Sequence, residues 1–273
     1  MIILGLENSK KLARKISQKL NMDYDDVDFR KFSDGEIHVK FKHNLKDKKV
    51  VIVQSLYPDI NKSLFEVLFT ASAARDLGAS KIIYVAPYLA YLREDMRNEK
   101  GECVSHNVVS DLLNRNVDEI VTVEPHLHQH NNIKKLFSIP FHRLDANELL
   151  RDYVKKNFSN FEVVGVGERA KVLAKHANFN SVVYDKNDKM HDFENHNVLV
   201  VDDIIRSGET MKRTLSSLKS NKTCLLTVHG LFVGDAYKNL LKNTHKIISF
   251  NTVEHESNQI DVSGLIAGKL MEL

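Results

Sequence analysis

Short runs of aliphatic residues alternate along this chain with longer stretches in which apolar residues recur every three or four positions. The short runs have the length and composition of β-strands. The strands predicted in this way are Ile2–Leu6, Glu36–Phe41, Val50–Gln54, Lys81–Val85, Glu119–Val123, Glu162–Val166, Ser181–Tyr184, Val198–Val201, Cys224–Val228 and Ile247–Phe250. The helical spacing predicts helices at Ser9–Leu20, Lys62–Leu77, Cys103–Asn114, Ala146–Lys156 and Gly208–Leu218.

Strands that are apolar throughout and separated by single helices are typical of parallel βαβ units, because helices cover both faces of a parallel sheet. The succession occurs twice, so we predict an α/β protein with two similar doubly wound parallel-sheet domains, residues 1–140 and 141–273. The segment FSIPFHRLDA, residues 137–146, is interpreted as the crossing between them. A (β/α)₈ barrel is the alternative, but the hairpin-like FSDGEIHVKF and the irregular spacing count against it.

Composition and charge narrow the class of protein. Charged residues make up 27% and hydrophobic residues 42%, which is typical of a soluble globular chain. A net charge of +3 gives no electrostatic case for nucleic-acid binding. Cys103 and Cys224 have no CxxC partner, which favours free thiols in a reducing compartment. No apolar run approaches a membrane span and the amino-terminal segment is charged too soon for a signal peptide, so we expect a cytoplasmic protein.

The stretch NVLVVDDIIRSGETM, residues 197–211, carries the strongest chemical signal. Asp202 and Asp203 follow an aliphatic strand, and ligands of open α/β sheets bind beyond the carboxyl ends of strands. The next turn, Arg206–Thr210, opens a helix whose unbonded N–H groups suit a phosphate. Carboxylates suit sugar hydroxyls or Mg²⁺, so a ribose 5-phosphate would use both features. The alternative is that Asp203 only caps the helix and Asp202 is solvated.

Three stretches in the amino-terminal half carry candidate chemistry, although by themselves the first is more often an ordinary hairpin and the second a solvated run of charges. FSDGEIHVKF predicts a hairpin whose Asp34-Gly35 turn presents Phe32, a flat face for a base, and Glu36, a hydrogen-bond acceptor. YVAPYLAYLREDMR places two guanidinium groups in one loop, which suits a polyphosphate. VTVEPHLHQH has three alternating histidines, which by themselves suggest zinc, but no further ligand set lies close in the sequence.

These motifs resemble a known family. VDDIIRSGETM resembles the ribose-binding loop of type I phosphoribosyltransferases and, more closely, that of the ribose-phosphate pyrophosphokinases (PRPP synthetases). FSDGE resembles the family's F-x-D-G-E hairpin, and the REDMR and EPH segments resemble its R-Q-D-x-(K/R) and D-P-H motifs. VVIVQSLYPDINKSLFEVL is also similar to a family segment, with Gln54, Ser55, Asn61 and Glu66 in register. The resemblance covers nearly the whole chain.

The resemblance implies an enzyme that transfers the pyrophosphoryl group of ATP to ribose 5-phosphate, with Mg²⁺ as cofactor, for nucleotide biosynthesis. In the family the hairpin reaches a neighbouring subunit's ATP, so at least a dimer is expected. The implied ATP-binding residues are Phe32, Asp34, Glu36, Arg93, Asp95, Arg97 and His126. The implied ribose 5-phosphate residues are Asp202, Asp203, Ser207, Gly208 and Thr210. The resemblance implies His126 as a metal-binding residue and Lys186 and His126 as catalytic residues, with His128 and His130 solvated. Glu168 is the metal-binding candidate and Lys189 the catalytic candidate that would substitute for family residues from a position displaced by one.

The sequence departs from the family pattern near the sugar phosphate. The family's mobile loop delivers a lysine and, two residues on, an arginine; Lys186 fits the lysine, whereas Asp188 occupies the arginine position. Gly167 replaces an aspartate, with Glu168 next to it, and Glu209 replaces a phosphate-loop glycine. Three interpretations remain open: an active pyrophosphokinase, a regulatory or nucleotide-binding paralogue with little turnover, and a phosphoribosyltransferase that uses PRPP. The last leaves the ATP-side motifs unexplained.

Overall fold

The structure is a computed structural model of the 273-residue chain. It describes residues 1–41, 44–93, 97, 99–126, 133–166, 172, 182–184 and 192–273. The chain divides into two compact units, Met1–Leu144 together with Ser263–Leu273, and Asp145–Val262. Among the described residues, no helix combines the length and apolar character that a membrane crossing requires.

The first unit is built on a six-stranded parallel sheet with a separate hairpin. The elements are β1 (Ile2–Gly5), α1 (Lys10–Leu20), β2 (Asp23–Asp26), β3 (Asp28–Lys31), β4 (Ile37–Lys40), β5 (Lys49–Val53), α2 (Ile60–Asp76), β6 (Lys81–Ala86), α3 (Ser105–Asn116), β7 (Glu119–Val123), α4 (Ile133–Leu136) and β8 (Phe141–Leu144). The strand order of the sheet is β2-β1-β5-β6-β7-β8. The hairpin pairs β3 with β4 in antiparallel register.

The second unit has its own six-stranded parallel sheet. The elements are α5 (Asn147–Asn157), β9 (Phe161–Val166), β10 (Val182–Tyr184), β11 (Asp192–Ile205), α6 (Glu209–Ser217), β12 (Lys219–Gly230), α7 (Ala236–Leu241), β13 (Lys246–Phe250) and β14 (Asn258–Ile260). The strand order is β10-β9-β11-β12-β13-β14. The last helix, α8 (Ser263–Glu272), returns to the first unit and packs on α1.

Burial explains why the aliphatic runs form the strands. Val50–Val53 and Val198–Val201 are almost completely inaccessible to solvent. A strand covered on both faces excludes water from its whole length, and each buried aliphatic side chain contributes about 1.5–3 kcal/mol. The predicted fold class, α/β with two doubly wound parallel sheets, is confirmed, and the barrel alternative is wrong because both sheets are open.

Several element boundaries differ from the prediction, each for a physical reason. The strand predicted at Val198–Val201 runs from Asp192 to Ile205, so both candidate carboxylates lie inside it. Residues 137–146, interpreted as a crossing, contain β8, which pairs with β7. Strands β2 and β3 were missed because DYDD and DFRK carry almost no apolar signal. Helix α2 begins at Ile60, since the Asp59 carboxylate caps it by accepting the Lys62 N–H.

Candidate active site

The second sheet places Asp202 and Asp203 beside a reversal of strand order. The chain runs from β9 out to β10 and then returns to place β11 on the other side of β9. Such a topological switch point opens a crevice at the carboxyl ends of the strands, where open α/β sheets bind their ligands. The two acids belong to the carboxyl end of β11, in register with Thr227 of β12 at Asp202. The position therefore suits a ligand that needs carboxylate acceptors.

The two carboxylates occupy different environments. Asp203 is only 5% exposed, whereas Asp202 is half-buried. One oxygen of Asp202 accepts the backbone N–H of Asp203 at 2.9 Å, which fixes the Asp202 side chain against the strand. Carboxylate oxygens accept hydrogen bonds from hydroxyl groups, so the chemistry of this pair is compatible with a site for sugar hydroxyls.

The turn after β11 joins the strand to the start of α6. Gly208 precedes the helix with φ +76°, a left-handed conformation that glycine adopts without strain. The first intrahelical bond runs from the Lys212 N–H to the Gly208 carbonyl at 2.8 Å, which leaves the N–H groups before it for a ligand. Ser207 and Thr210 are exposed on this turn, and so is Glu209, which is in the first helical turn.

Backbone hydrogen bonds from the segment after β12 hold this turn in place. The Leu231 and Phe232 N–H groups both donate to the Ile205 carbonyl, at 2.9 and 3.2 Å. The Val233 N–H donates to the Arg206 carbonyl at 2.9 Å. Sequence reasoning missed this support. The signal in the sequence was the pair of glycines that encloses it, in GLFVG, residues 230–234.

In the first unit, the hairpin presents Phe32 and Glu36 at a five-residue turn. The Phe32 N–H donates to the Glu36 carbonyl at 2.8 Å, and the Asp34 carboxylate accepts the Glu36 N–H at 3.1 Å. Gly35 has φ +101°, so the turn depends on a glycine there. Phe32 is 53% exposed at the tip, with its ring 6.2 Å from that of His38. An aromatic face held in solvent by a rigid turn suits a stacking contact.

The loops after β6 and β7 carry the remaining described candidates of the first unit. Arg93 and Arg97 follow β6 and are both exposed. His126 follows β7 and is half-buried, directly after the buried residues Glu124 and Pro125. Both loops leave the same edge of the sheet because all the strands are parallel. Two guanidinium groups and an imidazole at one sheet edge suit the phosphates of a nucleotide.

The switch point of the first sheet, between β1 and β5, is closed by internal hydrogen bonds. Gln54 is fully buried there and its amide oxygen accepts the Asn8 N–H at 3.1 Å. The Gln54 amide nitrogen donates to Glu66 at 2.7 Å, and the Asn8 amide donates to Ser63 at 2.8 Å. These polar groups bind one another across the switch point. Apart from the hairpin residues, the ligand-binding candidates of this unit therefore come from the loops after the later strands β6 and β7.

Several candidate residues lie outside the described part of the chain. They are Asp95, the metal candidate Glu168, the catalytic candidates Lys186 and Lys189, the two further histidines His128 and His130, and the departures Gly167 and Asp188. Their predicted roles stay predictions.

The described donors fit Mg²⁺ in one of its usual modes of binding. Among these residues, no three histidine, cysteine or acidic side chains are grouped to hold a metal by themselves. Mg²⁺ at a phosphoryl-transfer site is usually held by one or two carboxylates and by the substrate phosphates. The half-buried carboxylate of Asp202 is an oxygen donor of the required kind. His126 alone, a nitrogen donor, is a weaker match to this hard cation.

Comparison with known families gives two matches that follow each other along the chain. Residues 1–116 match the N-terminal domain of ribose phosphate pyrophosphokinase, and residues 138–262 match the phosphoribosyl transferase domain. The second match includes the acids on β11 and the turn at Ser207–Thr210.

Comparison with whole proteins extends over the full chain. The ribose-phosphate pyrophosphokinase of Methanopyrus kandleri is 31% identical, over 98% of this chain and 97% of that protein. The same enzyme from Sulfurisphaera tokodaii is 28% identical, over 99% and 100%. In fold, the chain is similar to the phosphoribosylpyrophosphate synthetase of Mycobacterium smegmatis, with a TM-score of 0.85, 22% identity and coverage of 99% and 97%. The chain therefore belongs to the ribose-phosphate pyrophosphokinase family, transferases that make PRPP for nucleotide biosynthesis.

Proposed function

We propose that this chain transfers the pyrophosphoryl group of ATP to ribose 5-phosphate and that Asp202 and Asp203 hold the ribose hydroxyls. The single observation that carries this assignment is the position of both acids at the carboxyl end of β11, beside the switch point and directly before a helix start. A pentose phosphate needs hydroxyl acceptors and an anion site a few ångströms apart, and this turn supplies both. Ser207, Gly208 and Thr210 then bind the 5-phosphate.

ATP is assigned to the first unit. Phe32 supplies a stacking face for the adenine and Glu36 an acceptor for its amino group, with the turn held by Asp34. Arg93 and Arg97 bind the phosphates together with Asp95 and His126. This assignment is supported by the exposed guanidinium groups after β6 and by the half-buried imidazole after β7. The division of substrates between residues 1–140 and 141–273 remains part of the proposal, and α8 packs with the first unit.

In the proposed reaction, the anomeric hydroxyl of ribose 5-phosphate forms a bond to the β-phosphorus of ATP, and the bond from that phosphorus to the α-phosphate oxygen breaks to release AMP. Most of the protein's work in phosphoryl transfer is positioning and charge neutralisation. Lys186 and Lys189 are proposed to neutralise the charge that develops on the transferred phosphates. The half-buried Asp202, together with His126 and Glu168, would hold Mg²⁺ beside the substrate phosphates, and the ion would supply the remaining positive charge.

The proposal also includes the self-association of the chain and its location in the cell. The exposed Phe32 at the tip of a two-stranded hairpin is suited to reach a second copy of the chain, so we infer at least a dimer. We also place the protein in the cytoplasm, where its nucleotide substrate is available.

The test is release of AMP from ATP, measured with and without ribose 5-phosphate and Mg²⁺. The wild-type chain should release AMP only when both are present, and Asp202→Asn should lower kcat/KM for ribose 5-phosphate at least about 100-fold. Asp152→Asn, which changes an exposed acid on α5, is the matched control and should keep wild-type rates. ATP binding without turnover at high enzyme concentration would contradict an active enzyme and favour the regulatory paralogue.

A further inference from the structure

A hydrogen bond joins the arginine-bearing loop to the start of α2. The Tyr91 hydroxyl donates to the Asn61 side-chain oxygen. Tyr91 lies in the loop after β6, and Asn61 lies in the first turn of α2, which is fixed by its own cap at Asp59. The two residues line an open depression together with Pro58, Asp59 and Ile60. A loop residue is thus bound to the rigid end of a 17-residue helix.

The backbone of Tyr91 adopts a conformation that tyrosine avoids. Its φ is +66°, in the left-handed region. A bulky residue there costs on the order of 1 kcal/mol or more, because its Cβ crowds the following carbonyl oxygen. Such a conformation persists only where the surroundings fix it, and residues of this kind concentrate at functional sites. The hydroxyl contact with Asn61 is one of the interactions that hold it.

Packing fixes the loop on both sides of Tyr91. Leu89 and Leu92 are 4% and 3% exposed, and the Tyr88 carbonyl accepts the Leu56 N–H at 3.0 Å. Arg93 is the next residue and is exposed. The chain therefore passes from a buried, strained and hydrogen-bonded segment directly to the first guanidinium group.

We propose that Tyr91 and Asn61 are positioning residues that set the direction in which Arg93 leaves the sheet edge toward the phosphates of ATP. This inference rests on the proposed function, because it takes ATP as the ligand of Arg93. Neither Tyr91 nor Asn61 needs to touch ATP. Their hydrogen bond stabilises the binding-competent loop conformation before the nucleotide arrives. Without it, part of the free energy of ATP binding is used to order the loop, so the affinity for ATP falls.

The decisive variant is Tyr91→Phe, which removes one hydroxyl and keeps the ring. We expect the KM and the dissociation constant for ATP to rise about five- to tenfold, since the lost hydrogen bond has a typical worth of about 1 kcal/mol. At saturating ATP, kcat should stay within about twofold, and the KM for ribose 5-phosphate should not change. Tyr153→Phe is the matched control, because the Tyr153 hydroxyl also donates to a side-chain amide oxygen, that of Gln259, at 2.6 Å.

Asn61→Ala and the double variant complete the test. Asn61→Ala should reproduce the rise in KM for ATP, and the double variant should be no worse than either single one, because both remove the same bond. An unchanged affinity for ATP in Tyr91→Phe, or a fall in kcat without a change in KM, would overturn the inference. If the wild-type chain binds ATP without turnover, the proposed reaction has failed, but the dissociation constants for ATP still test the role of this hydrogen bond. The two failures can therefore be distinguished.

Discussion

The Glu124 carboxylate lies 2.9 Å from the Arg143 guanidinium, across two neighbouring parallel strands. Glu124 directly follows β7, with φ +36°, and is 4% exposed, and its N–H donates to the Leu144 carbonyl beside Arg143. Two residues later the chain reaches His126. The ion pair therefore anchors the strand end from which the candidate phosphate ligand His126 extends.

Replacement of Arg143 by methionine should destabilise the first unit. The change keeps the length of the side chain but leaves the buried Glu124 carboxylate without its guanidinium partner. Removal of one partner of a buried ion pair lowers the free energy of unfolding by several kcal/mol. Because Arg143 is partly exposed, we expect the free energy of unfolding in urea to fall by about 2 kcal/mol. Arg75→Met, which breaks an exposed pair with Asp118, is the control and should cost less than about 1 kcal/mol. Equal losses would mean that burial of Glu124 is unimportant.

Glu66 should make the stability depend on pH. It is 1% exposed, and burial raises its pKa to about 7, although the Lys62 ammonium group opposes this. The unfolded chain has the ordinary pKa of 4.5, so between these values the folded protein binds the proton more tightly. The free energy of unfolding should therefore fall as the pH rises from about 4.5 to 7. Glu66→Gln should remove this dependence and stabilise the protein at pH 8 by about 2 kcal/mol.

Glu7, a second carboxylate that contacts Lys62, is the comparison for the pH dependence of stability expected from Glu66. The hydrogen bond from Lys62 lowers the pKa of Glu7, so this residue contributes stability above its unfolded pKa of 4.5 and loses it as the pH falls. Glu7→Gln should accordingly destabilise the protein at neutral pH, opposite in sign to Glu66→Gln. The same sign for both variants in unfolding curves from pH 4 to 8 would contradict the raised pKa of Glu66.

Gly208 should be harder to replace than another glycine of the same conformation. Gly208 and Gly234 have φ of +76° and +62°, so alanine is strained by about 1 kcal/mol at both. A Cβ at Gly208 would also approach the Leu240 side chain to 3.1 Å, whereas one at Gly234 would meet nothing within 4 Å. We expect Gly208→Ala to raise the KM for ribose 5-phosphate about tenfold or more and Gly234→Ala to leave it unchanged. Equal KM values for ribose 5-phosphate in the two variants would show that the turn at Gly208 is not part of the phosphate site.

The fold could be predicted where burial determines residue type. Val50–Val53 and Val198–Val201 form strands that are inaccessible on both faces, and their sequences carry no polar residue. The edge strand DYDD could not be found in the same way, because a strand with one neighbour and with side chains that are only partly buried requires no apolar pattern. The sequence also did not predict that β11 extends past its two acids, because a pair of carboxylates usually marks the end of a strand. In the structure the backbone pairing of β11 with β12 continues to Ile205.

The candidate site was predictable only where its residues are neighbours in sequence. The acids on β11 and the turn after them lie in one short motif, so their common sheet edge follows from the order of the elements. The contacts of Glu124 with Arg143 and of Tyr91 with Asn61 join residues 19 and 30 positions apart. The sequence pattern does not reveal such pairs, because the residue type of one partner does not indicate which distant residue it contacts.

Asp188→Arg tests whether the residue two positions after the proposed catalytic Lys186 limits the rate. The family resemblance implies an arginine at that position, where it would meet negative charge that builds up in the transition state, and this chain carries Asp188 there. One contact to transition-state charge is worth about 10²–10³ in rate. Because Lys189 is proposed to supply that charge already, we expect no gain in kcat for Asp188→Arg; a rise of at least tenfold with little change in KM for ATP would show that Lys189 does not supply it and that Asp188 limits the rate.

Lys186→Ala is the reference for that comparison, and it should lower kcat by about 10² or more while ATP affinity stays near wild type. Adding Asp188→Arg to Lys186→Ala then shows whether the new guanidinium group acts through the lysine or independently of it. A fall in kcat for Asp188→Arg alone would show that the loop is built around the aspartate and that Lys189 serves as the second cation. An equal loss of kcat and of ATP affinity in Lys186→Ala would instead assign the loop to nucleotide binding, because a contact made only in the transition state leaves ground-state binding unchanged.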